Sequence, residues 1–220
     1  MIAIICAMRV ELEQILARME NVRQEEQAGV KVYVGVLEGH QAAAAVCGVG
    51  KVSAALCTQM LISRYAPAAL LHSGIAGGVA PELRHMDLVV ARELTYRDMS
   101  DDIKRDWLPC GGCFVADAGL SSLLRQAAPE ARLGCIATGD QFLESREEKL
   151  RLQQDYNALC ADMESAAVAQ VCIVNRVPFA VLRCISDLAD DEARGDYDQF
   201  EQKAAHLSAE VLCKAVARME

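Results

Sequence analysis

The sequence predicts an α/β fold: a mixed, mostly parallel sheet with helices on both faces. Three observations lead there. Short apolar runs alternate with helix-period patterns along the whole chain. Several runs are apolar at consecutive positions, such as Ile2–Cys6 and Phe179–Ile185, the latter broken only by Arg183. Such runs belong to strands covered on both faces. The stretch from Val30 to Cys47 alternates and turns at Glu38-Gly39, which reads as a hairpin and makes the sheet mixed.

The elements follow in order. Ile2–Cys6 is a buried strand. Met8, Leu12, Ile15, Leu16 and Met19 then form a helical stripe. Helical spacing resumes from Lys51 to Tyr65, and Pro67 stops it. Ala69–Gly74 reads as a strand followed by a flexible Ala76-Gly77-Gly78, and Asp87–Leu94 as a strand followed by a polar loop, Thr95–Gly112. Residues 117–128 form a helix that Asp117 can cap. A strand over 133–140 leads to a helix over 145–156, with Ser145 as cap and Glu148 as box partner. Ala158–Glu164 is a strand running into the helix Ser165–Asn175. Pro178–Asp187 is the last strand, and an amphipathic segment from about Tyr197 to Met219 closes the chain. No linker or repeat divides residues 1–220, so one domain is expected. In such folds the ligand crevice lies beyond the carboxyl ends of the strands.

Composition excludes several functions. The net charge is −9, which disfavours nucleic acid, because that binding draws on clustered Lys and Arg. The apolar runs fall far short of the ~20 residues a membrane span needs. The start, Met1–Glu13, lacks a signal-peptide pattern. Most of the ten cysteines sit in apolar runs, as small hydrophobes in a reducing cytoplasm. The exception is Cys110-Gly111-Gly112-Cys113. It has no second pair for zinc and no helix start for thioredoxin-like chemistry, so it reads as a loop.

Other motifs weaken on inspection. Gly48–Ser53 resembles a phosphate loop, but Ala45, Val52 and Ser53 break both nucleotide-binding patterns. What remains is a glycine turn into a helix. The four histidines lack metal-ligand spacing, and His72 reads as a core residue, so no metal is expected.

Three acids stand at element boundaries: Glu11 opens the first helix, Glu164 follows Ala158–Met163, and Asp187 ends the last strand. Each alone is explained by a helix dipole, worth ~0.3–1 kcal/mol. Three at one carboxyl edge suit work on a glycosidic bond, where one acid protonates the leaving group and others grip hydroxyls or water. Asp190, Asp191 and Glu192 lie beyond Asp187 in a charged, solvated lid.

Around these acids the sequence resembles the 5′-methylthioadenosine/S-adenosylhomocysteine nucleosidases of the purine nucleoside phosphorylase superfamily. The resemblance is nearly full length and rests on "IICAMRVELE", "CGVGKVSAAL", "HSGIAGGVAPEL", "DLVVARE", "TGDQFL", "DMESAAVAQV" and "VLRCISDLAD". It implies a three-layer α/β/α fold, no cofactor, a homodimer, and hydrolysis of a 5′-modified purine nucleoside to adenine and a ribose derivative. By the same resemblance Asp187 is the general acid toward purine N7, oriented by Ser186. Glu164 binds the ribose hydroxyls, with Met163 against the sugar. Glu11 positions the water, and Arg183 lies near ribose and water. Phe142 stacks on adenine and Leu143 contacts it through backbone. Val49 lies near the 5′ group, and Tyr197 belongs to the closing segment.

Three departures stand out: Ile75 replaces a Ser or Thr near the sugar, Arg97 replaces a His in a shortened loop, and 190–196 is acidic with Arg194. They leave the 5′ substituent open. Two alternatives are phosphorolysis, against which His72, Ile75 and Glu11 argue, and a nucleoside-binding protein without turnover.

Overall fold

The computed structural model describes residues 1–219. Ten strands form one sheet: β1 (Ile2–Cys6), β2 (Met19–Gln27), β3 (Val30–Leu37), β4 (His40–Val46), β5 (Ala69–Gly78), β6 (Leu88–Tyr96), β7 (Phe114–Val115), β8 (Arg132–Thr138), β9 (Ala158–Asp162) and β10 (Phe179–Asp187). The helices are α1 (Arg9–Arg18), α2 (Lys51–Tyr65), α3 (Asp101–Trp107), α4 (Ala118–Ala127), α5 (Arg146–Tyr156), α6 (Ser165–Asn175) and α7 (Ala193–Val216).

Strands β4, β1, β5 and β10 are parallel neighbours, and β6, β8 and β9 form a second parallel set. Antiparallel pairs β10–β6 and β5–β9 join the two sets. The sheet therefore closes into a ring, β5–β10–β6–β8–β9, and extends from β5 through β1, β4 and β3 to β2. Closure requires β5 and β10 to pair on both edges.

Alternation along β1 explains the layers. Ala3 and Ile5 pack in the core that α2 and α6 cover, with Ala54, Leu61, Val168 and Cys172. Ile2, Ile4 and Cys6 pack on the opposite face, against Leu12 and Ile15 of α1 and Leu212 of α7. Successive strand side chains point to opposite faces, so one short apolar strand supplies both layers. Each fully buried Ile or Leu contributes about 1.5–3 kcal/mol.

Local signals hold where their chemistry is specific. Asp117 caps α4 by accepting from the Leu120 N–H at 2.9 Å. Ser145 caps α5 by accepting from the Glu148 N–H at 3.4 Å. The Glu148 side chain, however, pairs with Arg97 rather than closing a capping box.

Three expectations need correction. Ala76-Gly77-Gly78 is strand, not a flexible link: β5 runs to Gly78, paired by β10 and β9. The expected loop 95–112 contains α3 and a 3-10 turn over Pro109–Gly112. Ion pairs Lys104–Asp101 and Arg105–Asp102, both at 2.8 Å, support that short polar helix, which has no apolar period to reveal it. Met19, expected in the helical stripe, instead opens strand β2 after α1 ends at Arg18. This is a largely exposed edge strand whose only strand partner is β3, with Glu25 and Gln27 bonded to Arg64 and Tyr65 of α2, so it carries no hydrophobic alternation.

Candidate active site

A cavity of about 430 Å³ opens where the ends of β1, β5, β9 and β10 meet. Glu11, Val49, Ile75, Phe142, Leu143, Met163, Glu164, Ser186, Asp187 and Tyr197 all line it. Ten of the eleven positions singled out from the sequence are therefore brought together. The eleventh, Arg183, is not on the wall. Its side chain is 1% exposed and lies beneath the floor, in the middle of β10.

Arg183 organises what stands above it. Its guanidinium donates to Asp162 Oδ2 from Nε at 2.9 Å and approaches the same oxygen from Nη2 at 2.8 Å. Nη2 lies 3.8 Å from Glu164 Oε2 and also contacts His72 Nε2. Burial lowers the His72 pKa to about 3, with Arg183 adding repulsion. The ring is thus neutral. Nδ1–H donates to the Ile5 carbonyl at 2.9 Å, leaving Nε2 to accept from Arg183. His72, Asp162 and Glu164 have donor atoms close enough to suggest a metal centre. The guanidinium already occupies that role as cation.

Glu11 sits in the first turn of α1. It accepts from the Met8 N–H at 2.9 Å through Oε2, and from the Ile75 N–H at 3.0 Å through Oε1. It therefore serves as helix-start acid and pocket wall together. Burial raises its pKa, although Arg183 and the two N–H groups pull the other way. Glu164 lies between β9 and α6 and accepts from the Gly50 N–H at 2.9 Å. The glycine turn read in the sequence is thus a donor to the site. Burial and then repulsion from Asp162 raise Glu164 to about 7.

Asp187 ends β10. Ser186 Oγ donates to Oδ2 at 2.8 Å and the Ala189 N–H donates to Oδ1 at 3.0 Å. Both contacts favour the carboxylate, yet burial outweighs them and raises the pKa.

Two glycines make the acids' approach possible. A Cβ on Gly74 would lie 2.5 Å from Glu11 Oε1 and 2.6 Å from Arg183 Nη1. A Cβ on Gly77 would lie 2.8 Å from Asp187 Oδ1. The stretch that looks flexible in sequence is a rigid strand stripped of side chains where the acids converge.

The outer wall is aromatic. Phe142 and Tyr197 meet edge to face with centroids 5.7 Å apart. Tyr197 donates to Glu201 at 2.9 Å, and Arg194, paired with Glu144 at 2.5 Å, lies over the Phe142 ring. Asp191 and Glu192 are exposed beyond Asp187, as expected, whereas Asp190 is half-buried.

Asp162, Met8 and Gln141, to which the sequence assigns no site role, also line the cavity. Asp162 offered one signal: it stands two residues before Glu164 on the same strand end. Burial pushes its pKa up, but Arg183, Ser165 and Thr138 outweigh that and hold it low. Arg97, seen in the sequence as a departure, reaches the wall, donates to the Gln141 carbonyl and pairs with Glu148 at 2.7 Å.

Such a cleft, with three raised carboxylates beside an aromatic wall, suits a purine nucleoside and acid catalysis. Residues 1–217 match the Phosphorylase superfamily. The chain is 35% identical over 222 residues to a 5′-methylthioadenosine/S-adenosylhomocysteine nucleosidase of Geobacillus thermodenitrificans, covering 96% of this chain and 93% of that one. Its structure is similar to that nucleosidase of Neisseria meningitidis in complex with methylthio-immucillin-A, at TM-score 0.95 and 30% identity over 99% of both chains. It is also similar to a futalosine hydrolase of Helicobacter pylori, at TM-score 0.94 and 32% identity over 99% of this chain and 97% of that one. The chain belongs to the 5′-methylthioadenosine/S-adenosylhomocysteine nucleosidase family of this superfamily.

The buried pair sets a stability expectation. Asp162→Ala leaves Arg183 short of its nearest counter-charge, and should cost about 3–5 kcal/mol. Urea denaturation of the variant measures it; a loss under about 1 kcal/mol means the guanidinium finds other partners.

Proposed function

We propose that this protein hydrolyses the N-glycosidic bond of a 5′-modified purine nucleoside, releasing adenine and a ribose derivative. The observation that carries water over phosphate is Glu11. Its carboxylate accepts the Met8 and Ile75 N–H groups, the backbone donors on that wall that an anion would need. A phosphate there would meet negative charge, and Arg183 below is already paired with Asp162.

The roles are those the family resemblance implies, and the positions of the side chains support them. Asp187, kept protonatable by burial, donates its proton to purine N7 as the bond to the sugar lengthens. Ser186 and the Ala189 N–H hold the carboxylate that this leaves. Phe142 stacks on the purine, and the Leu143 backbone contacts its edge. Glu164, when ionised, accepts the ribose hydroxyls while Met163 packs against the ring. Glu11 orients water at the opposite face of the oxocarbenium-like sugar. Arg183 acts from below, by holding Asp162 and through it the Glu164 strand end. Val49 and Ile75 leave the 5′ side apolar.

The protein is proposed to work in the cytoplasm. All ten cysteines are free, which fits a reducing compartment. Among the described residues, no helix is long and apolar enough to cross a membrane. A homodimer is proposed as well. Val52 and Leu56 of α2 are 70% and 67% exposed, and Val174 of neighbouring α6 is 65% exposed. An apolar face of this kind beside Val49 suits a second copy of the chain.

Base release from a panel of 5′-substituted adenosines, in phosphate-free buffer, tests the reaction. Asp187→Asn should lower kcat by about 10²–10⁴-fold; undiminished turnover in that variant, or strict dependence on phosphate, overturns the reading. The pH profile carries a second expectation. Glu164 must be ionised, so kcat/KM should rise as pH passes upward through about 7. A profile flat across neutrality contradicts this division of roles. For the dimer, Leu56→Asp should convert a sedimenting dimer to monomer; a wild-type monomer sinks the proposal.

A further inference from the structure

Cys110 and Cys113 are the two exposed cysteines; the other eight are buried. We propose that this pair forms a reversible intramolecular disulfide by exchange with a low-molecular-weight disulfide such as oxidised glutathione. The backbone has the required shape. The Cys113 N–H donates to the Cys110 carbonyl at 3.3 Å, closing a four-residue turn. Gly111 has φ 62 and ψ 22, and Gly112 has φ 76. Both lie in the left-handed region, so this is a type I′-like turn that two glycines adopt without strain. A closed turn of this length brings its end Cα atoms within about 7 Å. A disulfide spans Cα separations of about 4.4–6.8 Å.

The turn stands on a fixed floor. Gly112 packs on Lys104, and a Cβ there would lie 2.8 Å from Lys104 Cβ. The Lys104 ammonium is held by Asp101 at 2.8 Å, the Tyr156 hydroxyl at 3.0 Å and the Tyr96 carbonyl at 3.1 Å. The two thiols therefore share one surface turn while their support stays in place. Cys113 Sγ donates to Glu93 Oε2 at 3.6 Å; burial and this carboxylate raise the Cys113 thiol, which leaves it the resolving rather than the attacking sulfur. The pair also closes the excursion that leaves β6 at Tyr96, next to Arg97 on the cavity wall, and returns at β7.

The exchange balances in two steps. Cys110 thiolate attacks one sulfur of oxidised glutathione; the S–S bond breaks, and one glutathione thiolate leaves and takes up a proton. Cys113, its proton passed to water, attacks the Cys110 sulfur of the mixed disulfide. The second glutathione leaves as thiol. The protein loses two hydrogens and two electrons, and oxidised glutathione is reduced to two thiols. In a reducing cytoplasm such a bond is transient and serves redox sensing.

The test uses the full-length protein, reduced and then incubated with oxidised glutathione. Intact mass and peptide mapping should show loss of two hydrogens within residues 106–125 and loss of two titratable thiols. The buried cysteines should stay unmodified, and dithiothreitol should reverse the change. Cys110→Ser and Cys113→Ser should each stop at a single glutathione adduct. Two adducts on the wild-type turn overturn the proposal. So do thiols that stay free under conditions that modify either single variant.

Discussion

The buried Asp162–Arg183 pair is the contact on which the site rests. A guanidinium 1% exposed in the middle of β10 is costly unless its charge is met. Asp162 meets it directly, and Glu11, Glu164 and neutral His72 surround it. This explains how several acids share one small cavity. Without a cation beneath them, burial and mutual repulsion would leave them all neutral. With it, Asp162 stays ionised and Glu164 is poised near neutrality.

The site divides its carboxylates by environment. Asp162 faces the cation and is held low. Asp187 lies beyond the cation's main influence, among apolar neighbours, and burial raises it. A protonatable acid and an ionised one therefore coexist a short distance apart, which bond cleavage to a poor leaving group requires. The part of the wall formed by Val49 and Ile75 is apolar and carries no charge.

Closure of the sheet brings these groups together. The acids were expected at one carboxyl edge. Glu11 and Asp187 do follow the parallel strands β1 and β10, but Glu164 follows β9, which runs antiparallel to the end of β5. Ala161 lies opposite Gly77, so the two strand ends meet at the cavity from opposite senses. Ring closure through β5 makes that meeting possible. The same geometry turns Ala76-Gly77-Gly78 into paired strand, because its lack of side chains admits Asp187 and its backbone has partners on both sides.

The sequence by itself determined the alternation of elements, the buried strands, the caps at Asp117 and Ser145, and which acids stand at element ends. These rest on local periodicity and short-range hydrogen bonds, which are written in consecutive residues. The family resemblance added the roles of those acids and the aromatic wall. Tertiary structure decided the rest. It placed Arg183 under the floor rather than on the wall, made Asp162 its partner, and gave Glu148 to Arg97 instead of to its own helix cap. It also paired β2 and folded α3, neither of which has an apolar period. These outcomes depend on which charges and backbone edges meet across the fold, and no local pattern encodes those meetings.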